Sequence, residues 1–531
     1  MSMTTLRNLG HHRFRTSGRP LRATAVAAVV ALALAACGTG GADEPGESSS
    51  AGADASLRIV MANPPKEGTL DTCNGDNNQL LQENITEPLV RVNGETGELE
   101  PLLAEEWTEE SPTRWVFTLR EGVTFHDGQP FDAEAAAWWL NRVLDPAADC
   151  YVLDSVLTSD ISSVSAVDEK TLAIELGSPD PILPRRLAFT PIGAPTDDPL
   201  VEVTDPVGTG PYQFVSFTPD QSFSMERYAD YWGEAPDVGE VEYIFRSESA
   251  VRAAMASTGE VDLATSITAQ DADAPNAQTY TVSETLYARL DSEVPPFDDA
   301  RVRKAVNLAI DRQTFVDNVF GGKGEPASEI FLPNVVGYDP DVTWEYDPEE
   351  AKRLIAEAQA DGVDVSREIE VIGRTGLRNS NGSETMDTLA AMLGAVGLKA
   401  RTVVMEFEQY RERFEAPQDP AALPTMIVNV HGNSLGDAHL SLDGKLGCNA
   451  PQSPACDETF QQMLDDAGAA SGDEREGLLQ DAARYAHDEM TFLVPVAYTT
   501  DTLITANECV QYTPNPATLQ KLVVAEIKLQ C

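Results

Sequence analysis

The sequence predicts a mixed α/β protein with more than one lobe. Three observations carry this reading. The chain has 531 residues, too many for one ordinary hydrophobic core. Period-two strand patterns and period-3.6 helix patterns alternate along its length. A strand–helix–strand pattern lies beyond residue 290, far from the first strands, and reads as a separate lobe.

The elements follow in order. Residues 57–63, LRIVMAN, read as a buried strand, and NQLLQENITEPLVRV from residue 78 as a helix leading into a strand. TRWVFTLR, residues 113–120, alternates and is a strand. Asp132 is an N-cap for the Ala-rich helix AEAAAWWLNRVL, because its carboxylate accepts from free N–H groups of the first turn. TLAIEL, residues 171–176, is another strand. Gly208-Thr209-Gly210-Pro211 makes a turn into the strand YQFVSF. Asp299 opens one long helix, DARVRKAVNLAIDRQTFVDNVF. PEEAKRLIAEAQA, residues 348–360, is a surface helix with Pro in its first turn. IEVIG, ETMDTLAAMLGAVG and KARTVVM form a βαβ unit. An amphipathic helix covers about 475–489, and FLVPVAY and KLVVAEIKL are late strands, the second free to return to the first lobe.

The formal net charge is −49, and residues 1–36 hold five arginines and no acid, so the remainder carries −54. Nucleic acid and anionic lipid head groups repel such a chain. Residues 23–36, ATAVAAVVALALAA, follow the last of these arginines; the run is too short to span a bilayer and reads as a secretory signal. It ends in Leu34-Ala35-Ala36-Cys37, which resembles a bacterial lipobox whose Cys37 thiol takes a diacylglycerol. Residues 37–56 are Gly, Ser, Ala and acids, a flexible tether. Lipid, tether and large body together describe a protein held at the outer face of a bacterial membrane.

Six cysteines remain, an even number suited to an oxidising compartment. Sequence nearness pairs Cys448 with Cys456 and Cys509 with Cys531, leaving Cys73 with Cys150. There is no CxxC, GxSxG, Walker A, HExxH or dinucleotide fingerprint, so no local motif argues for catalysis, a metal site or a cofactor.

Three long blocks carry a resemblance. They are LLAEEWTEESPTRWVFTLREGVTFHDGQPFDAEAAAWWLNRV, then PVGTGPYQFVSF with YADYWGEAPDVGEVEY and GEVDLA, then PPFDDARVRKAVNLAIDRQTFVDNVFGGKGEPA. Their order and spacing resemble family 5 solute-binding proteins of ABC importers, the peptide, nickel, opine and glutathione class, from about residue 57 to the end. The resemblance implies a two-lobed periplasmic-binding-protein-like fold of type II. Lobe I would hold 57–288 plus 497–531, with an inserted subdomain at about 100–205; lobe II would hold 289–496. A ligand would sit between the lobes and be buried by hinge closure. The implied product is a monomeric binding protein, not an enzyme, that delivers a short peptide or amino-acid-like solute to a separate permease. A nickel chelate, haem or sugar as ligand, a sensory role without transport, and a secreted hydrolase are the alternatives. In the family the HDG turn is structural, which makes His126 and Asp127 scaffold rather than a catalytic pair, with Trp138 and Trp139 on a packed helix.

The candidate cleft residues come from four segments. Lys66, Glu67 and Thr69 lie in the loop after the first strand, at the cleft rim in the resembling proteins. Tyr287 precedes the crossing between lobes and could stack on a ligand. Asp291 stands where the family commonly has Asn, and either holds a cationic group or caps a turn. Arg374 and Arg378 lie between a strand and a helix N-terminus, a setting suited to an anion or to solvated side chains. In VNVHGNSLGDAHLSL, peptide-binding relatives carry Trp and then an Asp that holds a peptide amino terminus. Here those positions read His431 and either Asn433 or Ser434, with Asp437 later, which departs from free-amine peptide binding. His431 is either an interior histidine or a contact. On this reading Asp437→Ala or Arg374→Ala weakens ligand binding with little loss of stability.

Overall fold

The computed structural model describes residues 55–65, 70–73, 78–94, 96–375, 377, 382–415, 423–515 and 521–530. The leader, Cys37 and the tether lie outside the described residues, as do Lys66, Glu67, Thr69, Arg378 and Cys531.

β1 (Ser56–Met61) is followed by the one-turn helix α1 (Asn78–Leu81) and a hairpin of β2 (Val90–Val92) and β3 (Leu99–Pro101). A four-stranded antiparallel sheet comes next, in the order β4-β5-β7-β6: β4 (Ala104–Ser111), β5 (Arg114–Leu119), β6 (Ile161–Asp168) and β7 (Thr171–Leu176). α2 (Ala133–Leu144) packs its alanine face on this sheet, and α3 (Tyr151–Ser155) and α4 (Leu183–Leu187) contribute Val152, Leu183 and Leu187 to the same core. The Asp132 carboxylate accepts from the Ala135 N–H at 2.9 Å, the expected cap. β8 (Tyr212–Thr218), β9 (Ser222–Arg227) and β10 (Glu240–Phe245) run antiparallel to one another, and β10 lies parallel to β1. After α5 (Ser249–Ser257), β11 (Leu263–Ala264) lies parallel on the other side of β1.

β12 (Ala277–Leu290) carries the chain out of this group. α6 (Ala300–Ala309), α7 (Arg312–Val319), the short β13 (Glu325–Pro326) and α8 (Pro348–Ala360) follow. Then comes the βαβ unit of β14 (Glu368–Arg374), α9 (Ser383–Ala395) and β15 (Lys399–Met405), its strands parallel as expected. α10 (Phe407–Glu415), β16 (Thr425–Gly432), α11 (Ala438–Leu446), α12 (Glu458–Ala469) and α13 (Gly472–Tyr485) precede β17 (Leu493–Thr505), which returns beside β12. β18 (Val510–Gln511) and β19 (Lys528–Leu529) pair near the end. The largest sheet runs β15-β14-β16-β12-β17-β11-β1-β10-β9-β8, with β13 also on β17.

Two expectations need correction. The helix expected from Asp299 is two helices, because Asp311 caps α7 by accepting from the Thr314 N–H at 3.0 Å. KLVVAEIKL is a strand only at Lys528–Leu529. Its apolar residues Leu522, Val524 and Ile527 instead plug the core under β1 and β10, and Asn84 fastens them, donating to Leu522 O (2.8 Å) and accepting from Val524 N (2.9 Å). The segment thus returns to the first group of strands without forming a strand there. The disulfides Cys73–Cys150 and Cys448–Cys456 form as expected; the third pairing involves Cys531, outside the described residues.

Candidate functional site

The topology points to one place. β1, β10 and β11 are mutually parallel, and so are β14, β15 and β16. β11 runs antiparallel to β17, and its carboxyl end leads on to Ile267, whose N–H bonds Thr502 O at 2.9 Å. β16 runs antiparallel to β12, and its carboxyl end, Gly432, pairs with Glu284. β12 and β17 are themselves paired, Thr281 with Thr500 and Thr285 with Tyr498, with a register shift between. The carboxyl ends of both parallel sets are therefore aimed at the same short stretch, residues 281–285 and 498–500. Ligands of open α/β sheets bind at such carboxyl edges, where strand order reverses.

On the first side, Arg252 sets the edge. Its guanidinium donates to Arg246 O and Ser247 O (both 2.7 Å), to Thr265 O (3.0 Å) and to Ser266 O, tying the loop after β10 to the loop after β11. Ser266 Oγ and Tyr280 OH each lie 3.4 Å from the buried Asp501 carboxylate. Burial pushes the Asp501 carboxyl up to about 7, and the charge of Glu284 adds to the shift.

On the second side, the turn from β16 to α11 is stapled to the register shift, since Asn433 N donates to Ser283 O (3.0 Å) and Ser283 Oγ to Asn433 O (2.8 Å). The Asn433 side chain is fully used within the turn. Its Nδ2 reaches Asp437 O and Ser441 Oγ, and its Oδ1 accepts from Gly436 N. His431 shares Ser441 Oγ at 2.7 Å, and burial, with Lys445 nearby, holds its pKa well below the usual value. Asp437 caps α11 and accepts two bonds from Arg475. Ser434 Oγ is buried with no hydrogen-bond partner.

Of the other expected residues, Arg374 ends β14 at this edge, half-buried, with its guanidinium 5.3 Å from the Phe407 ring centre. Tyr287 is buried in the interior, its ring edge-on to His431 at 6.4 Å. Asp291 is buried and its carboxyl pushed up to about 6 by burial, against the opposing charge of Arg289. Its N–H bonds Thr425 O at the start of β16, so it lies about 20 Å along the sheet from the converging edges. Asp291 is therefore not brought together with the others. His126 accepts from Gly208 N (3.3 Å) through Nδ1, and Nε2 lies 2.9 Å from Gly210 O, so it links two turns as scaffold. Trp139 is buried and donates to Pro191 O at 2.9 Å. An open cavity of ≈ 410 Å³ lies elsewhere, on the four-stranded sheet, lined by Glu105, Arg120, Lys170 and Trp232. Arg252, Asp501 and the Ser283 staple escaped the sequence reading; only the polar run in β17, TTDT, hinted at them.

A family model for bacterial extracellular solute-binding proteins, family 5 (middle region), matches residues 98–449. The chain is 27% identical over 486 residues to the nickel-binding periplasmic protein of Escherichia coli (strain K12), covering 83% of this chain and 88% of that one. It is 26% identical over 515 residues to a probable di/tripeptide-binding protein 5 of Pseudomonas aeruginosa (strain UCBPP-PA14), covering 86% and 95%. The solved structure of HbpA2 from Haemophilus parasuis superimposes with a TM-score of 0.78 at 23% identity, over 90% of this chain and 100% of that one.

Proposed function

We infer the function from one premise: the chain belongs to the family 5 bacterial extracellular solute-binding proteins. It captures a short peptide or other amino-acid-like solute at the edge between its two parallel strand sets and delivers it to the permease of an ABC importer. The observation that carries this reading is the convergence of both sets of carboxyl ends on residues 281–285 and 498–500. Lobe I comprises 57–288 and 497–531 with its inserted subdomain at about 100–205, and lobe II comprises 289–496. β12 and β17 are the two crossings, and the register shift at Thr281–Thr285 gives a hinge about which closure buries the solute. The di/tripeptide-binding relative supports the solute class. With Asn433 in place of an acid and Asp437 committed to Arg475, a free peptide amine is not the main anchor. The solute leaves chemically unchanged. Cys37 carries the lipid, residues 37–56 form the tether, and the protein acts as a monomer at the outer face of the membrane.

Native mass spectrometry of the purified protein, before and after denaturation, tests this. A released peptide or amino-acid-like mass is expected. A nickel chelate would move the solute class to that of the nickel-binding relative, and a substrate turned over on the protein would overturn the binding role.

A further inference from the structure

Two cations lie together inside the protein, away from the converging edges. Leu286, Ala288 and Leu290 of β12 join the apolar core formed with α6 and α9, so Tyr287 and Arg289 share the opposite face of the strand. Arg289 is 3% exposed. Its Nη1 donates to Phe414 O near the end of α10 and to Gln452 O, both at 2.8 Å, and its Cζ lies 4.6 Å from the Phe414 ring centre. Lys445, near the end of α11, comes to the same place. Its Nζ donates to Gln452 Oε1 and lies 5.9 Å from the centres of both the Phe414 and the Tyr287 rings. Gln452 belongs to the loop closed by the Cys448–Cys456 disulfide, so that loop roofs both cations.

The charges here do not balance. Among the described residues neither Arg289 nor Lys445 has a carboxylate within 4 Å. Asp291, farther off, is the acid whose charge favours Arg289, and Arg413 competes for it. No acid acts on Lys445 in this way. Burial, and then repulsion from Arg289, pull its pKa down to about 8. Asp291 can offset one cation and leaves the other. Arg289 Nε is also a buried donor with no hydrogen-bond partner. An uncompensated buried cation and an unmade hydrogen bond each raise the energy of the folded chain. An anion between the two cations removes both penalties. The unpartnered Asp291 Oδ1 nearby and the chain's net charge of −49 disfavour a multivalent one.

We propose that Arg289 and Lys445 form a buried site for one monovalent anion, with chloride as its occupant, held by Arg289 Nε and the Lys445 ammonium under the disulfide-closed loop. Four residues of β12, about 13 Å, separate Arg289 from Thr285. The anion site is therefore distinct from the converging edges and stands without the solute-binding reading.

The test is urea unfolding of the full chain in detergent at neutral pH across a chloride series, with sodium gluconate holding the ionic strength constant. In wild type the folding constant should rise with chloride, and each tenfold increase above half-saturation should raise it nearly tenfold. Lys445→Met should remove this dependence. Crystals soaked in bromide should show an anomalous peak against Arg289 and Lys445. If Lys445→Met does not fold, the wild-type series and the bromide peak decide together. No chloride dependence in wild type would overturn the site, and a bromide peak without it would mark an adventitious ion only. A dependence that survives intact in Lys445→Met would put the anion elsewhere and overturn the site as well.

Discussion

Arg475 and Asp437 form a two-bond ion pair, with Nε to Oδ2 and Nη2 to Oδ1 both at 3.0 Å and both side chains almost fully buried. The pair locks α13 to the start of α11, at the end of the turn that follows β16. Arg475 also donates to Ala467 O at the end of α12. The acid that looks like a ligand group in sequence thus has both carboxylate oxygens engaged by Arg475.

Asp437→Ala is therefore expected to destabilise the fold by about 3–5 kcal/mol, because it leaves a buried guanidinium without its counter-charge. Urea unfolding measures this. A variant as stable as wild type but defective in solute binding would restore Asp437 to the ligand's first contacts. This reverses the expectation of a harmless substitution.

Arg374 behaves differently. It ends β14 at the converging edge, and its guanidinium lies over the half-exposed Phe407 ring. Loss of the exposed cation–π contact in Arg374→Ala should cost about 1 kcal/mol of stability. Solute affinity should fall severalfold while the unfolding midpoint moves little. Unchanged affinity would remove this end of β14 from the site.

The two disulfides should separate by exposure. Cys73 and Cys150 are 2% and 3% exposed, whereas Cys456 is exposed. Reductant at neutral pH is expected to open Cys448–Cys456 first, followed by alkylation and mass mapping. Loop closure predicts a loss of about 2–3 kcal/mol for that pair, eight residues apart, and about 4–5 kcal/mol for the other, 77 apart. Opening the shorter loop also loosens Gln452 O and Pro454 O, which accept from the buried Arg289 (2.8 Å) and Ser292 (2.7 Å). Simultaneous reduction of both pairs would contradict this order.

These cases show what a sequence carries and what it hides. The βαβ unit, the α2 cap and the turns around His126 rest on local patterns of a few residues, and they are legible. FLVPVAY was readable as an apolar run, but β17 continues through Thr499, Thr500 and Asp501, which are polar residues in a crowded strand. Burial there comes from β12 and β11, partners more than 200 residues away, so no window shows it. Asp437 misleads for the same reason, since Arg475 lies 38 residues on.

Burial pushes the Glu329 carboxyl up to about 8, and the charge of Asp339 adds to the shift against one bond from the Asp339 N–H at 2.9 Å. Glu87 is pushed up to about 7 by burial although Thr209, Tyr231 and Trp232 all donate to it, and Asp501 also reaches about 7. A raised carboxyl pKa means the folded state holds its proton more tightly. The stabilisation is complete below the unfolded value near 4 and is lost as pH rises through the folded value. His126, His431 and His439 have lowered values, so they oppose this trend, but only below about 6.5. Lys445, lowered to about 8, acts only at still higher pH. Stability should therefore decline between pH 6.5 and 8. Glu329 alone contributes on the order of 2 kcal/mol of that decline, at about 1.4 kcal/mol per pH unit. Urea unfolding at pH 6.5, 7.2 and 8 measures the slope, and Glu329→Gln should flatten it. A slope that is absent in wild type, or unaltered in Glu329→Gln, would mean that this carboxyl is ionised in the folded protein.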